Sequence, residues 1–268
     1  MNKIVFELTH IHFSYLGKFP ALREINLTIH AGEKMAVMGA NGTGKSTLLT
    51  LLDGLIFPEQ GTVHAFGEAL TESRLNDEAF SQSFRRRVGF VFQNPDVQLF
   101  CPTVRDDIVF GPLQLGVPHA TIMERLTRLT DFLDITQLLD RAPHQLSIGE
   151  KRKAAIASVL AMDPDVLILD EPTAGLDPLT TRHIVELILE LNAKGKTIIT
   201  ATHDVHLVSE IADRIYVFDR TKQIAKSGTP AEVLSDDALL VSTNLIHAHP
   251  HFHEGTLHLH PHRHGKGV

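Results

Sequence analysis

The sequence has a single cysteine, Cys101, in 268 residues. No intramolecular disulfide can form, and a reducing compartment fits. No apolar run approaches the roughly 20 residues that cross a bilayer. The first residues lack the basic, apolar and small-residue succession of a secretory leader, so none is expected. Positive charge is also short: 25 Lys and Arg stand against 32 Asp and Glu, a net charge of −7. A nucleic-acid binder usually carries a basic stripe, so nucleic acid is not an expected partner. Hydrophobic residues make up 43% of the chain, enough for a sizeable core. The length fits one large α/β domain, or one domain with an inserted subdomain and a tail. If such a chain works at a membrane, it must sit there on a partner.

Short β-type runs alternate with helical ones. Residues 4–15 and 25–30 read as antiparallel strands. Residues 34–39, 87–93, 166–170, 196–203 and 214–219 read as buried strands, and 46–55 as a helix. Continuous apolar strands alternating with helices predict an α/β fold with a parallel or mixed core sheet. The first strands form its antiparallel edge, and a helical subdomain is inserted at about 94–160. The main domain is expected over 1–235, a helical segment or linker over 236–246, and a His-rich, mobile, metal-binding tail over 247–268.

Residues 39–46, "GANGTGKS", match G-x-x-x-x-G-K-S between a predicted strand and a predicted helix, the context such a loop requires. Glycines let backbone wrap a phosphate, amides point inward, and the helix N-terminus favours negative charge. The cradle comprises Gly39, Ala40, Asn41, Gly42, Thr43, Gly44, Lys45, Ser46 and Thr47. Lys45 is expected on the β- and γ-phosphates and Ser46 on Mg²⁺. The strand "VLILDE" ends in two acids. Asp170 can help hold Mg²⁺, and Glu171 can orient or deprotonate a water; the plainer reading is two solvated acids. His203 follows another apolar strand, as a phosphate sensor or as a structural histidine.

Residues 145–178, "QLSIGEKRKAAIASVLAMDPDVLILDEPTAGLDP", resemble the ABC transporter ATPases. Within the resemblance, 146–150 ("LSIGE") match the signature, Asp170 and Glu171 the Walker B acids, and 174–177 ("AGLD") the D-loop. Gln93 matches the Q-loop glutamine, His203 the switch histidine, and Tyr15 the aromatic that stacks on adenine. The resemblance runs from residue 3 to about 235. It implies ATP with Mg²⁺ held by Ser46, Gln93 and Asp170. It implies hydrolysis by a catalytic group of Glu171, His203, Gln93 and Lys45. Two subunits would sandwich two nucleotides head to tail, with Ser147, Gly149 and Asp177 acting across the dimer. One departure matters: the usual signature is L-S-G-G-Q, and here Ile148 and Glu150 intervene. Isoleucine avoids positive φ, and a carboxylate adds charge near phosphate. Both put the strength of the cross-subunit contact in question, while Glu171 is kept and hydrolysis is still expected.

Residues 91–117, "VFQNPDVQLFCPTVRDDIVFGPLQLGV", are similar to the energy-coupling-factor importers, above all the cobalt and nickel group. The resemblance implies a homodimer at the cytoplasmic membrane face. Integral-membrane coupling and substrate-binding subunits would dock near 94–111. The same pattern occurs in vitamin importers, which stays an alternative. A soluble, nucleotide-switched metal-storage or chaperone protein is a third reading. The tail bears on this choice. His247, His249, His251 and His253 alternate, as do His258, His260, His262 and His264. It reads as a purification handle, a solvated accident, or a device binding Ni²⁺ or Co²⁺, since imidazole is a ligand for such ions. Its near-mirror symmetry predicts a hairpin with loop 254–257, His253 facing His258, His251 facing His260, and Pro250 facing Pro261.

Overall fold

The computed structural model describes residues 3–253 and 256–262, and only the backbone of those beyond residue 246. The chain divides into two compact units, one of Met1–Leu70 with Ala201–Val268 and one of Thr71–Thr200.

The first unit opens with β1 (Ile4–Tyr15) and β2 (Phe19–His30). They pair antiparallel, with Phe6, Leu8, Ile11, Leu22, Ile25, Leu27 and Ile29 buried. The apolar–polar alternation of both strands is that of a sheet with one face on the core. β3 (Lys34–Met38) is buried from Met35 onward and runs into the phosphate loop, which opens α1 (Lys45–Leu52). β4 (Gln60–Ala65) and β5 (Glu68–Ala69) extend the antiparallel sheet in the order β2-β1-β4-β5.

The second unit starts with α2 (Glu72–Leu75) and α3 (Glu78–Arg87), ahead of the insertion start expected at residue 94. β6 (Val88–Val91) follows, then α4 (Val104–Gln114), α5 (His119–Phe132) and α6 (Ile148–Leu160). β7 (Val166–Asp170) lies parallel to β6, with Val88 opposite Val166 and Val91 opposite Leu169. α7 (Pro178–Ala193) leads to β8 (Thr197–Thr202), the neighbour of β7.

Back in the first unit come α8 (Val205–Ile211), β9 (Arg214–Phe218) and β10 (Ile224–Gly228). β9 pairs parallel with β3 and antiparallel with β10, the mixed arrangement the sequence predicts. α9 (Pro230–Leu234) and α10 (Asp237–Ser242) complete it. Leu240 and Ile246 are buried in one cluster with Ala36, Met38, Val208, Ile215, Val217 and Val233. The segment 236–246 is therefore a packed helix and its exit, not a linker.

β11 (His247–His253) and β12 (Thr256–His262) form an antiparallel pair. The register differs from the mirror symmetry of the sequence by two residues. His251 lies opposite His258, His249 opposite His260 and His247 opposite His262, while His253 meets Thr256. Pro250 lies opposite Leu259 and Pro261 opposite Ala248, so the two prolines do not face each other. Residues 254 and 255, between the strands, and His264 lie outside the described residues.

Candidate nucleotide site

In the first unit, α1 begins without a side-chain cap, on Gly44 at φ 110°. A Cβ there would come within 2.2 Å of the Ala21 carbonyl oxygen, so only glycine fits. At Gly39 a Cβ would stand 2.6 Å from Thr43 Oγ1 and 2.9 Å from the Phe218 carbonyl oxygen. Lys45 is buried, and its Nζ donates to the carbonyls of Gly39 (2.8 Å) and Ala40 (3.3 Å). The cation is thus folded over the loop where a phosphate would lie. The first turn of α1 contains no acid, and its amides and positive dipole end favour an anion. The loop fits a nucleotide phosphate.

Tyr15 shares a hydrogen bond with Thr47, hydroxyl to Oγ1 at 3.2 Å, and its ring meets Phe13 edge-on at 5.0 Å. Tyr15 is 46% exposed, open to a stacking partner. Lys222, in the turn between β9 and β10, donates its Nζ to the Gly42 carbonyl. Sequence reading passed over it, since nothing in the local pattern links that turn to the loop. His203 is exposed just after β8, and the next residue, Asp204, caps α8 by accepting from the amides of His206 and Leu207.

In the second unit, β7 is buried throughout and ends at Asp170, itself buried like Glu171. Glu171 has φ 46°, a left-handed conformation uncommon for a non-glycine residue and one that clusters at functional sites. The parallel register that sets Val91 opposite Leu169 carries Phe92 and Gln93 toward Asp170 and Glu171. Gln93 is exposed at that strand end.

The signature corrects an expectation. Ile148 opens α6, and neither it nor Gly149 has a positive φ. The isoleucine therefore meets no conformational penalty. Glu150 is the third residue of the helix and closes a capping box with Ser147. The Ser147 amide donates to Glu150 Oε2 at 2.7 Å, and the Glu150 amide donates to Ser147 Oγ at 3.3 Å. S-x-x-E is the usual composition of this reciprocal cap. The hydrogen bonds from Ser147 hold the Glu150 carboxyl below its ordinary range. Its charge is engaged at the helix start. In the D-loop, Asp177 caps α7, accepting from the Thr180 amide (2.9 Å) and hydroxyl (2.6 Å), which lowers its pKa.

With this geometry in view, the comparisons with known proteins agree. Residues 22–174 match the ABC transporter family. The Rhodobacter capsulatus nickel import ATP-binding protein NikO is 51% identical over 244 residues, 90% of this chain and 95% of that protein. An energy-coupling factor transporter ATP-binding protein, EcfA of Methanothermobacter thermautotrophicus, is 44% identical over 89% of this chain and 75% of its own length. The solved structure of cbiO1 from Clostridium perfringens, part of the ABC transporter complex cbiONQ, superposes with a TM-score of 0.76 at 35% identity. It covers 91% of this chain and 95% of that one. The chain belongs to the ABC transporter ATP-binding family. It is an ATP-hydrolysing transport subunit of the importer type that uses ATP and Mg²⁺, and ATPases of this kind work as dimers with membrane components. Among the described residues no helix is long and apolar enough to cross a membrane.

Proposed function

We propose that this ATPase powers the import of a transition-metal ion, nickel or cobalt, from the cytoplasmic face of the membrane, as a homodimer beneath coupling and substrate-binding subunits. The observation that carries the reading is the hairpin register. Three cross-strand histidine pairs, 247 with 262, 249 with 260 and 251 with 258, share one face of the ribbon, because alternate strand residues do. Ala248, Pro250, Phe252, Leu257, Leu259 and Pro261 share the other. Paired imidazoles suit nickel and cobalt, and metal coordination would add the stability that a two-stranded ribbon lacks in water. The name of the R. capsulatus relative points the same way.

Within each nucleotide site, Lys45 and the loop amides hold the phosphates, and Tyr15 stacks on the base. Ser46, Gln93 and Asp170 hold Mg²⁺, which neutralises charge on the phosphates when bound. Glu171 takes the proton of the attacking water, and His203 donates to the γ-phosphate. Ser147, Gly149 and Asp177 serve the partner subunit's nucleotide. The membrane partner docks over residues 94–111, where Val97 and Phe100 are two-thirds exposed and Phe110 is exposed beside Phe100.

Calorimetric titration with Ni²⁺ and Co²⁺ tests the metal reading. The full chain should bind at pH 7.5 and lose binding at pH 5.5, below the ordinary histidine pKa of about 6.5. A chain ending at Ile246 should bind neither ion yet keep its ATPase activity. His249→Ala and His260→Ala should weaken binding more than His253→Ala, whose position faces a threonine. Equal binding by full and shortened chains would leave the vitamin importer, with which the pattern over residues 91–117 is shared.

A further inference from the structure

The second unit buries a cation at its heart. Arg152, one turn into α6, is 2% exposed. Its Nη1 donates to the Phe92 carbonyl at 2.9 Å, and its Nε has no hydrogen-bond partner among the described residues. The charges that favour its protonated form are Asp170 and Glu171, acting against burial. Phe92 is also held from its other side. Its amide donates to Gln98 Oε1 (3.1 Å), and Gln98 Nε2 donates to the Ala155 carbonyl (2.8 Å) and Ser158 Oγ (3.2 Å), both on α6. Lys151 pairs with Asp96 at 2.6 Å just beyond.

Burying a guanidinium is unfavourable, and an apolar side chain of similar volume often serves packing as well or better. Guanidinium also stays charged in proteins. A cation retained here, on the peptide that leads into Gln93 and at the strand end neighbouring the end of β7, indicates a task beyond packing. We infer that Arg152 is a positioning residue of ATP hydrolysis: from the helix that the signature opens, it fixes the root of Gln93 and the acids Asp170 and Glu171 in one arrangement. A displacement of α6 then reaches the hydrolytic group through one side chain. The inference rests on the roles proposed above for Gln93, Asp170 and Glu171.

Steady-state hydrolysis and fluorescent-nucleotide binding by the purified full-length protein test it. R152M should lower kcat by about ten- to a hundredfold, the scale of misplacing a reacting group, with KM and nucleotide affinity unchanged. R152K, which keeps the charge and loses the planar fork, should fall between R152M and wild type. Q98A, which loosens the same peptide without altering charge, should lower kcat less, again at constant KM. Wild-type kcat in R152M overturns the proposal. So does an equal loss in R152K and R152M with none in Q98A, the pattern of a packing defect. If R152M does not fold, R152K and Q98A decide: lower kcat at constant KM in both supports the role, and wild-type kcat in both ends it. Glu171→Gln is measured in parallel, and undiminished turnover there would sink the reading of the acid rather than that of the arginine.

Discussion

The phosphate loop and the signature helix are both helix starts that the proposed mechanism sets against phosphate, yet they are made differently. The loop opens on a glycine that no other residue can replace, leaves its first turn uncapped, and folds a buried lysine over itself. The signature opens on a serine locked to Glu150 in a capping box, with an exposed isoleucine between them. One start leaves its amides for a ligand; the other satisfies part of its own need. The loop is therefore strict in sequence, while the signature tolerates letters that a motif search would question.

The sharpest break in this comparison comes from Glu171, the acid just past β7. Glu171→Gln should keep nucleotide binding and lower steady turnover about a hundredfold or more, the usual scale of general-base loss. It should trap an ATP-bound dimer visible by size exclusion. Next in size is Gly44→Ala. With its Cβ 2.2 Å from the Ala21 carbonyl oxygen, the loop must shift, and ATP affinity measured by fluorescent titration should fall at least about tenfold, roughly 1.4 kcal/mol.

The signature should respond more gently. Ile148→Gly with Glu150→Gln would restore the common motif, but Ile148 is already helical. Glycine in a helix lowers stability by up to about 1 kcal/mol, so dimerisation in the Glu171→Gln background should be unchanged or slightly weaker. A tighter dimer would show that these residues do weaken the cross-subunit contact. The smallest effect is a pH effect. Glu150 is stabilised in its ionised form, below its ordinary value of 4.5. Its contribution is full above that value and fades as pH falls through the lowered one. The difference in Tm between wild type and Glu150→Gln should accordingly be largest near pH 7 and shrink below pH 4.5.

Most strands of the core could be read directly, because β3, β7 and β8 are apolar runs bounded by turns, and buried strands look like that. The phosphate loop and the paired acids were legible for the same reason, since their chemistry is local. α2 and α3 were not. Only Phe84 in them is buried, so apolar periodicity is silent and the signals are caps: Thr71 accepting from the Arg74 amide and Asp77 from the Phe80 amide. Arg152 sits in a Lys-Arg-Lys run that reads as a solvated face. Its spacing of four and seven to the buried Ile156 and Val159 was the available clue. The hairpin was legible as a hairpin, but symmetry misplaced its register: His251 pairs with His258 and not with His260, since strand pairing need not match like with like.

The burial of Ile246 at 3% exposure nails the hairpin's root to the core of the first unit. From that fixed point a seven-residue strand spans roughly 23 Å at about 3.3 Å per residue. The ribbon is a short leash. If the histidine residues hold an ion as proposed, that ion would travel with the ATPase and stay within about 25 Å of that root, at a high local concentration beside one subunit.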